Sequence, residues 1–123
     1  MSRQIKAILI DPYTQTVQEV EIEASYEAYY SVIGNGCALV DRTYLDVLCG
    51  ECLYFDDEGN FNENTAAFVL KGCVPVMGRG LIVGTGGASD CDTSLTVEAV
   101  KRKIDHFSIM MPVKNVEGVE NAA

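Results

Sequence analysis

The sequence predicts an α+β fold: a largely antiparallel sheet of about five to six strands with two helices, in a single domain. Three observations point there. The chain opens with two strand-like runs joined by a proline turn, two separate segments carry helical spacing, and several short strands lie between them without the strict strand-helix alternation of a parallel sheet.

The opening hairpin is the plainest element. "IKAILID" and "TVQEVEIE" flank Asp11-Pro12-Tyr13-Thr14, where proline presets the backbone for a turn. In the second run Glu19, Glu21 and Glu23 alternate with Val20 and Ile22, the period-two pattern of a sheet with one wet face. "SYEAYYSVIG" then changes period. Ser25 is a suitable N-cap, Tyr26, Tyr29, Tyr30 and Ile33 fall at i, i+3, i+4 and i+7, and Gly34 can close the helix. Cys37 to Tyr44 and Glu51 to Phe55 read as strands from their β-branched, aromatic and small apolar content, with Asp57-Glu58-Gly59-Asn60 as the turn that follows. "AAFVLKG" and "LIVGT" add two more. "TVEAVKRKIDHF" restores helical spacing, with Thr96 as N-cap and Val97, Val100, Ile104 and Phe107 on one side. Both helices are expected to cover the same face of the sheet. The domain is assigned to residues 1–110, and residues 111–123 read as a surface tail.

A chain of 123 residues has the length of one domain with one core, and 48% hydrophobic against 22% charged residues is the balance of a chain that folds alone. The net charge of -9 opposes approach to nucleic acid or anionic lipid, so neither is expected as a direct partner. The same charge serves solubility and favours a basic protein surface. No run approaches the ~20 apolar residues of a membrane span, and "MSRQIKAILID" lacks the core of a signal peptide, so the expected location is the cytoplasm. Five cysteines, an odd number, fit reduced thiols.

"PVMGRGLIVGTGGASDCDTS", residues 75–94, holds five of the eleven glycines and has the look of a phosphate loop. The spacing argues otherwise. Gly78, Gly80 and Gly84 run G-x-G-x-x-x-G, Leu81-Ile82-Val83 between them reads as a buried strand, and no Lys-Ser or Lys-Thr follows. Gly78 and Gly80 instead permit a tight bend into the strand, and Gly84, Gly86 and Gly87 an exit loop. Thr85 to Thr93, rich in hydroxyls and leading toward the helix start at Thr96, keeps anion binding open, with Arg79 able to add a planar guanidinium.

Cys49 and Cys52 form a C-x-x-C, but there is no second such pair, and the strand-like "LYF" follows where a redox pair would open a helix. They read as small apolar packers, with a metal or redox role left open. "DDEG", residues 56–59, groups three acids without the alternating spacing of a calcium loop and reads as a solvated turn. His106, beside Phe107, is placed near a helix end, where a positive charge suits the dipole, and no nucleophile accompanies it. The tyrosines at 26, 29 and 30 read as core rather than a stacking platform.

"IKAILIDPYTQTVQEVEIE", "SYEAYYSVIG", "LYFDDEGNF" and "PVMGRGLIVGT" together resemble an uncharacterised family of small proteins of bacteriophages, prophages and mobile elements, over roughly residues 5 to 107. The matching motifs lie at Leu53 to Gly59 and Gly78 to Thr85, and Cys49 and Cys52 fall outside the pattern. The resemblance implies an accessory protein working in a bacterial host cell by stoichiometric binding, for example against host defence.

The expected function is therefore non-catalytic binding of a small anionic ligand or a host protein. The residues expected to carry it are Tyr54, Asp56, Asp57, Glu58, Arg79, Thr85, Asp90, Asp92 and Thr93, with no catalytic residue, metal ligand or cofactor. One alternative is a small metal-dependent hydrolase using Asp56, Asp57, Asp90 and Asp92; another is an assembly module without a ligand. A sheet covered on one face only would leave apolar surface bare, which predicts a homo-oligomer.

Overall fold

Alternating β-branched residues bring β1 (Gln4–Asp11) and β2 (Thr16–Glu23) together as an antiparallel hairpin, in register from Gln4↔Glu23 to Asp11↔Thr16. The turn between them contains no glycine, and Gln15 takes a φ of 57°, in the left-handed region. Helix α1 (Tyr26–Ile33) follows at once. Ser25 caps it, its Oγ accepting from the Ala28 amide at 3.2 Å.

The computed structural model describes residues 4–33, 40–44, 48, 50–56, 66–73, 75–85 and 90–109. Among them lie nine strands and two helices in two antiparallel sheets, an α+β arrangement. The hub is β7 (Gly80–Thr85). It pairs with β1 on one side (Ile8↔Ile82) and with β4 (Cys52–Asp56) on the other (Leu53↔Ile82). With β3 (Val40–Tyr44) on the outside, the order is β2-β1-β7-β4-β3, and β8 (Asp90–Cys91) pairs with the far end of β7. A second sheet has the order β6-β5-β9, from Val76–Met77, Ala66–Leu70 and Ile104–Ile109.

Period-two alternation sorts the main sheet's side chains onto two covered faces. Ile5, Ala7, Cys52, Tyr54, Leu81 and Val83 pack with Tyr29 and Ile33 of α1. Ile8, Ile10, Leu53 and Ile82 pack with Phe68 and Leu70 of the second sheet and with Val100 of α2 (Val97–Lys103). Each such side chain stabilises the fold by roughly 1.5–3 kcal/mol on burial. Hence β7 carries no polar side chain before Thr85. The helices therefore cover opposite faces of the sheet, not one face as expected, because α1 and α2 meet residues of opposite parity on the same strands.

Two glycines of β7 are spacing devices. A Cβ on Gly80 would stand 2.6 Å from the ring of Phe68, and one on Gly84 would stand 2.1 Å from the Asp92 carbonyl oxygen. Gly84 thus belongs to a strand crossed closely by another segment rather than to an exit loop. Gly78, with φ 85°, does make the expected bend. The second helix also ends earlier than its spacing predicts. Thr96 caps it as expected, accepting from Ala99 N at 3.1 Å, but residues from Ile104 onward form β9 against β5. His106 is accordingly a strand residue. The 57–60 turn, Cys37, Cys49 and the 111–123 tail lie outside the described residues.

Candidate functional site

At the end of β7 near Thr85, three segments converge on Asp90. Its Oδ2 accepts the hydroxyls of Tyr54 at 2.6 Å and Tyr29 at 2.8 Å, short enough to be charge-assisted bonds. Both tyrosines are 2% exposed, and their rings stand 4.5 Å apart. Tyr26 meets both rings edge-on while staying largely exposed. Burial first, then the hydrogen bond to Asp90, hold the Tyr29 hydroxyl's pKa well above the usual tyrosine value. The neighbouring segment is a strap across the sheet. Asp92 Oδ1 accepts from Lys6 N at 2.9 Å, and Thr93 N donates to Lys6 O at 2.9 Å. The buried Glu51 carboxylate accepts from Thr93 Oγ1 at 2.5 Å, Ser94 Oγ at 3.1 Å and Ser94 N at 3.2 Å. Thr85 Oγ1 makes a long 3.5 Å contact to the Gly50 carbonyl.

At the other end of β7 stands Arg79. Its Nε donates to Asp11 Oδ2 at 3.2 Å, and its guanidinium lies 5.0 Å from the centre of the Tyr13 ring. Asp56 closes β4 beside the same end, since its neighbour Phe55 pairs with Gly80. Burial raises the Tyr13 pKa, and the negative charges of Asp11 and Asp56 add to this while Arg79 opposes it. This end is thus carboxylate-rich around one arginine.

The residues expected to act together are therefore divided. Thr85, Asp90, Asp92 and Thr93 gather toward one end of β7, while Arg79 and Asp56 lie at the other, about 16–20 Å away at the ~3.3 Å rise of a strand; Tyr54, opposite Leu81 on β4, stands between them and reaches Asp90 only through its hydroxyl. Asp57 and Glu58 lie outside the described residues. Among the described residues no group of three or more His, Cys, Asp or Glu could hold a metal ion. Cys52 is buried in the core beneath α1.

A family model described as a domain of unknown function matches residues 5–108, most of the chain. The chain belongs to this family, DUF3846. No curated protein and no solved structure matches it.

A cleft of this DUF3846 domain is lined by none of the residues expected to carry binding. With a volume of about 270 Å³, it opens between the β1–β2 turn, α2 and β9, lined by Gln15, Val17, Lys101, Ile104, Asp105, His106 and Phe107. His106 Nδ1 lies 2.7 Å from Asp105 Oδ2. The signal in the sequence was "KRKIDHF", which the helical reading absorbed.

Proposed function

We propose that this protein is a small acidic accessory protein of phage type that acts by stoichiometric, non-catalytic binding in the cytoplasm of a bacterial host. It sequesters a nucleotide-like signal or blocks a host protein, with counter-defence as the setting. The observation that supports this is how the polar side chains at both ends of β7 are used. Asp90 takes the hydroxyls of Tyr29 and Tyr54, Glu51 those of Thr93 and Ser94, and Asp11 holds Arg79. A nucleophile or general base needs an atom left to react, whereas these groups tie strands and strap together.

Two partner classes fit. The net charge of -9 favours a basic protein surface and disfavours nucleic acid and anionic membrane. The cleft beside Lys101 favours a small anion. A homo-oligomer belongs to the same proposal, but with the sheet covered on both faces its contact must use other surface, such as Ile109, 60% exposed on the edge strand β9.

The test is turnover. Purified protein is incubated with nucleoside mono-, di- and triphosphates and cyclic nucleotides, with and without divalent ions, and the nucleotides are resolved by chromatography. Unaltered nucleotides are expected. Products above the protein-free control would overturn non-catalytic binding.

A further inference from the structure

We propose that the cleft between the β1–β2 turn, α2 and β9 is a ligand site for a small organic anion, of the class and size of a nucleoside monophosphate. This rests on the binding function proposed above and gives it a place. At about 270 Å³ the cleft falls just below the ~300–1,000 Å³ of drug-sized pockets, which limits the occupant to roughly a mononucleotide.

Two backbone irregularities converge on it. The register of β9 against β5 shifts between Val69↔His106 and Leu70↔Ile104, leaving Asp105 as an extra residue in a β-bulge. Neighbours on a regular strand point to opposite faces. The bulge brings Asp105 and His106 together, so that their side chains meet at 2.7 Å and both line the cleft. Across from them, Gln15 is the one non-glycine residue with positive φ among the described residues. Glycine would sit there without strain, whereas glutamine brings an amide with both donors and an acceptor to the cleft wall. Such irregularities persist where the surrounding structure or a ligand makes use of them.

The charge is placed to match. Lys101 lines the cleft, and Arg102 and Lys103 complete the last turn of α2. Lys71 joins them, its amide bonded to the Lys103 carbonyl at 2.9 Å. Four of the chain's nine basic residues thus gather at one place on a molecule of net charge -9. Basic residues at a helix C-terminus offset its dipole, but Lys71 lies outside the helix. The one carboxylate lining the cleft, Asp105, is occupied by His106 Nδ1, leaving Nε2 as the ring atom that can meet a ligand. Val17, Ile104 and Phe107 supply the apolar wall on which a base can lie. Phosphate then goes to Lys101, and the base or sugar edge to the Gln15 amide and to His106 Nε2, which accepts once Nδ1 donates to Asp105.

Calorimetry on the full chain with AMP, GMP, CMP and UMP, and with inorganic phosphate and adenosine as the two halves, tests this. One nucleotide is expected to bind one-to-one, about tenfold or more tighter than either half. Lys101→Ala should weaken it by about tenfold, the loss of one charge-assisted contact. Gln15→Gly is the sharper probe: it should raise the urea midpoint by relieving strain, yet weaken binding by about three- to tenfold. Circular dichroism confirms that both variants fold. Equal affinity of wild type, Lys101→Ala and Gln15→Gly for a bound nucleotide would overturn the site while leaving the binding function standing. No binding by any of the four would overturn the ligand class, leaving the blocking of a protein as the function. Conversion of the nucleotide would overturn the binding function itself.

Discussion

Replacing Gly84 with alanine should cost far more than replacing a glycine with a stricter backbone requirement. The new Cβ would stand 2.1 Å from the Asp92 carbonyl oxygen, 2.9 Å from its carbon and 3.1 Å from the Cys91 oxygen, all of them backbone atoms. Relief requires the strap to retreat by about 1 Å, and a hydrogen bond of 2.9 Å stretched that far is no longer one. Three are at stake: Thr93 N to Lys6 O, Lys6 N to Asp92 Oδ1, and Thr93 Oγ1 to Glu51. At a net contribution near ~1 kcal/mol each, added to ~1–3 kcal/mol of overpacking, the loss is about 4–6 kcal/mol. That is a large share of the ~5–15 kcal/mol by which a domain is stable. Gly50→Ala is the contrast. Its φ of 80° disfavours a side chain, but nothing lies within 4 Å, so only a backbone cost of roughly 1–2 kcal/mol is expected. Gly80→Ala should fall between, because the atoms it meets are the side chains of Phe68 and Leu53. Urea unfolding of the three variants, with slopes compared to wild type, provides the measurement. A Gly84→Ala protein as stable as Gly50→Ala would refute the view that the strap lies tightly on β7.

Other outcomes follow from the polar contacts. Tyr54→Phe and Tyr29→Phe should each lose roughly 1–2 kcal/mol in urea unfolding, and Asp90→Ala about 2–5 kcal/mol, since it leaves two buried hydroxyls without that acceptor. Additive losses in the Tyr54→Phe/Asp90→Ala double variant would refute their coupling. Because the folded state raises the Tyr29 pKa, its stabilising contribution is complete below the unfolded value of ~10 and declines above it. Alkaline titration of the urea midpoint should therefore fall more steeply for wild type than for Tyr29→Phe, and parallel curves would refute it. Arg79→Ala should cost no more than ~1 kcal/mol and less in high salt, because this ion pair is partly exposed; a loss that salt does not change would refute that. Light scattering at micromolar concentration should give a multiple of the chain mass, and a monomeric mass would overturn the homo-oligomer.

Elements whose signals are local were legible in the sequence. The β1–β2 hairpin, the Ser25 and Thr96 caps and the apolar runs of β4, β5 and β7 are each specified within a few residues. What was hidden depends on partners far along the chain. Val97, Val100, Ile104 and Phe107 satisfy helical spacing, yet Ile104 and Phe107 lie on β9, whose bulge at Asp105 erases the period-two signature of a strand. Gly84 reads as loop chemistry because the carbonyl that requires it is contributed by Asp92, eight residues on. Asp90, Thr93 and Tyr54 were singled out one by one, but Tyr29, read as core, and Glu51 were not joined to them, since α1 and the residue before β4 meet β8 and the strap only through the topology. The cleft escaped notice for the same reason, its walls coming from a turn near residue 15 and a helix-strand junction near residue 104.

The position of β7 bears on how the chain is made. The two hairpins that flank it, β1–β2 and β3–β4, form from neighbouring sequence, but the order β2-β1-β7-β4-β3 leaves them unjoined until residues 80–85 are inserted between them. During synthesis the inner edges of β1 and β4 therefore wait open, apolar on both sides, for a strand about two-thirds of the way along the chain. Closure is a non-local event and should set the pace of folding, with the amides of β7 becoming protected from exchange together with those of β1 and β4 that face them. Small losses in Ile82 or Leu81 would then act twice, on the finished molecule and on the time its precursors spend exposed to aggregation.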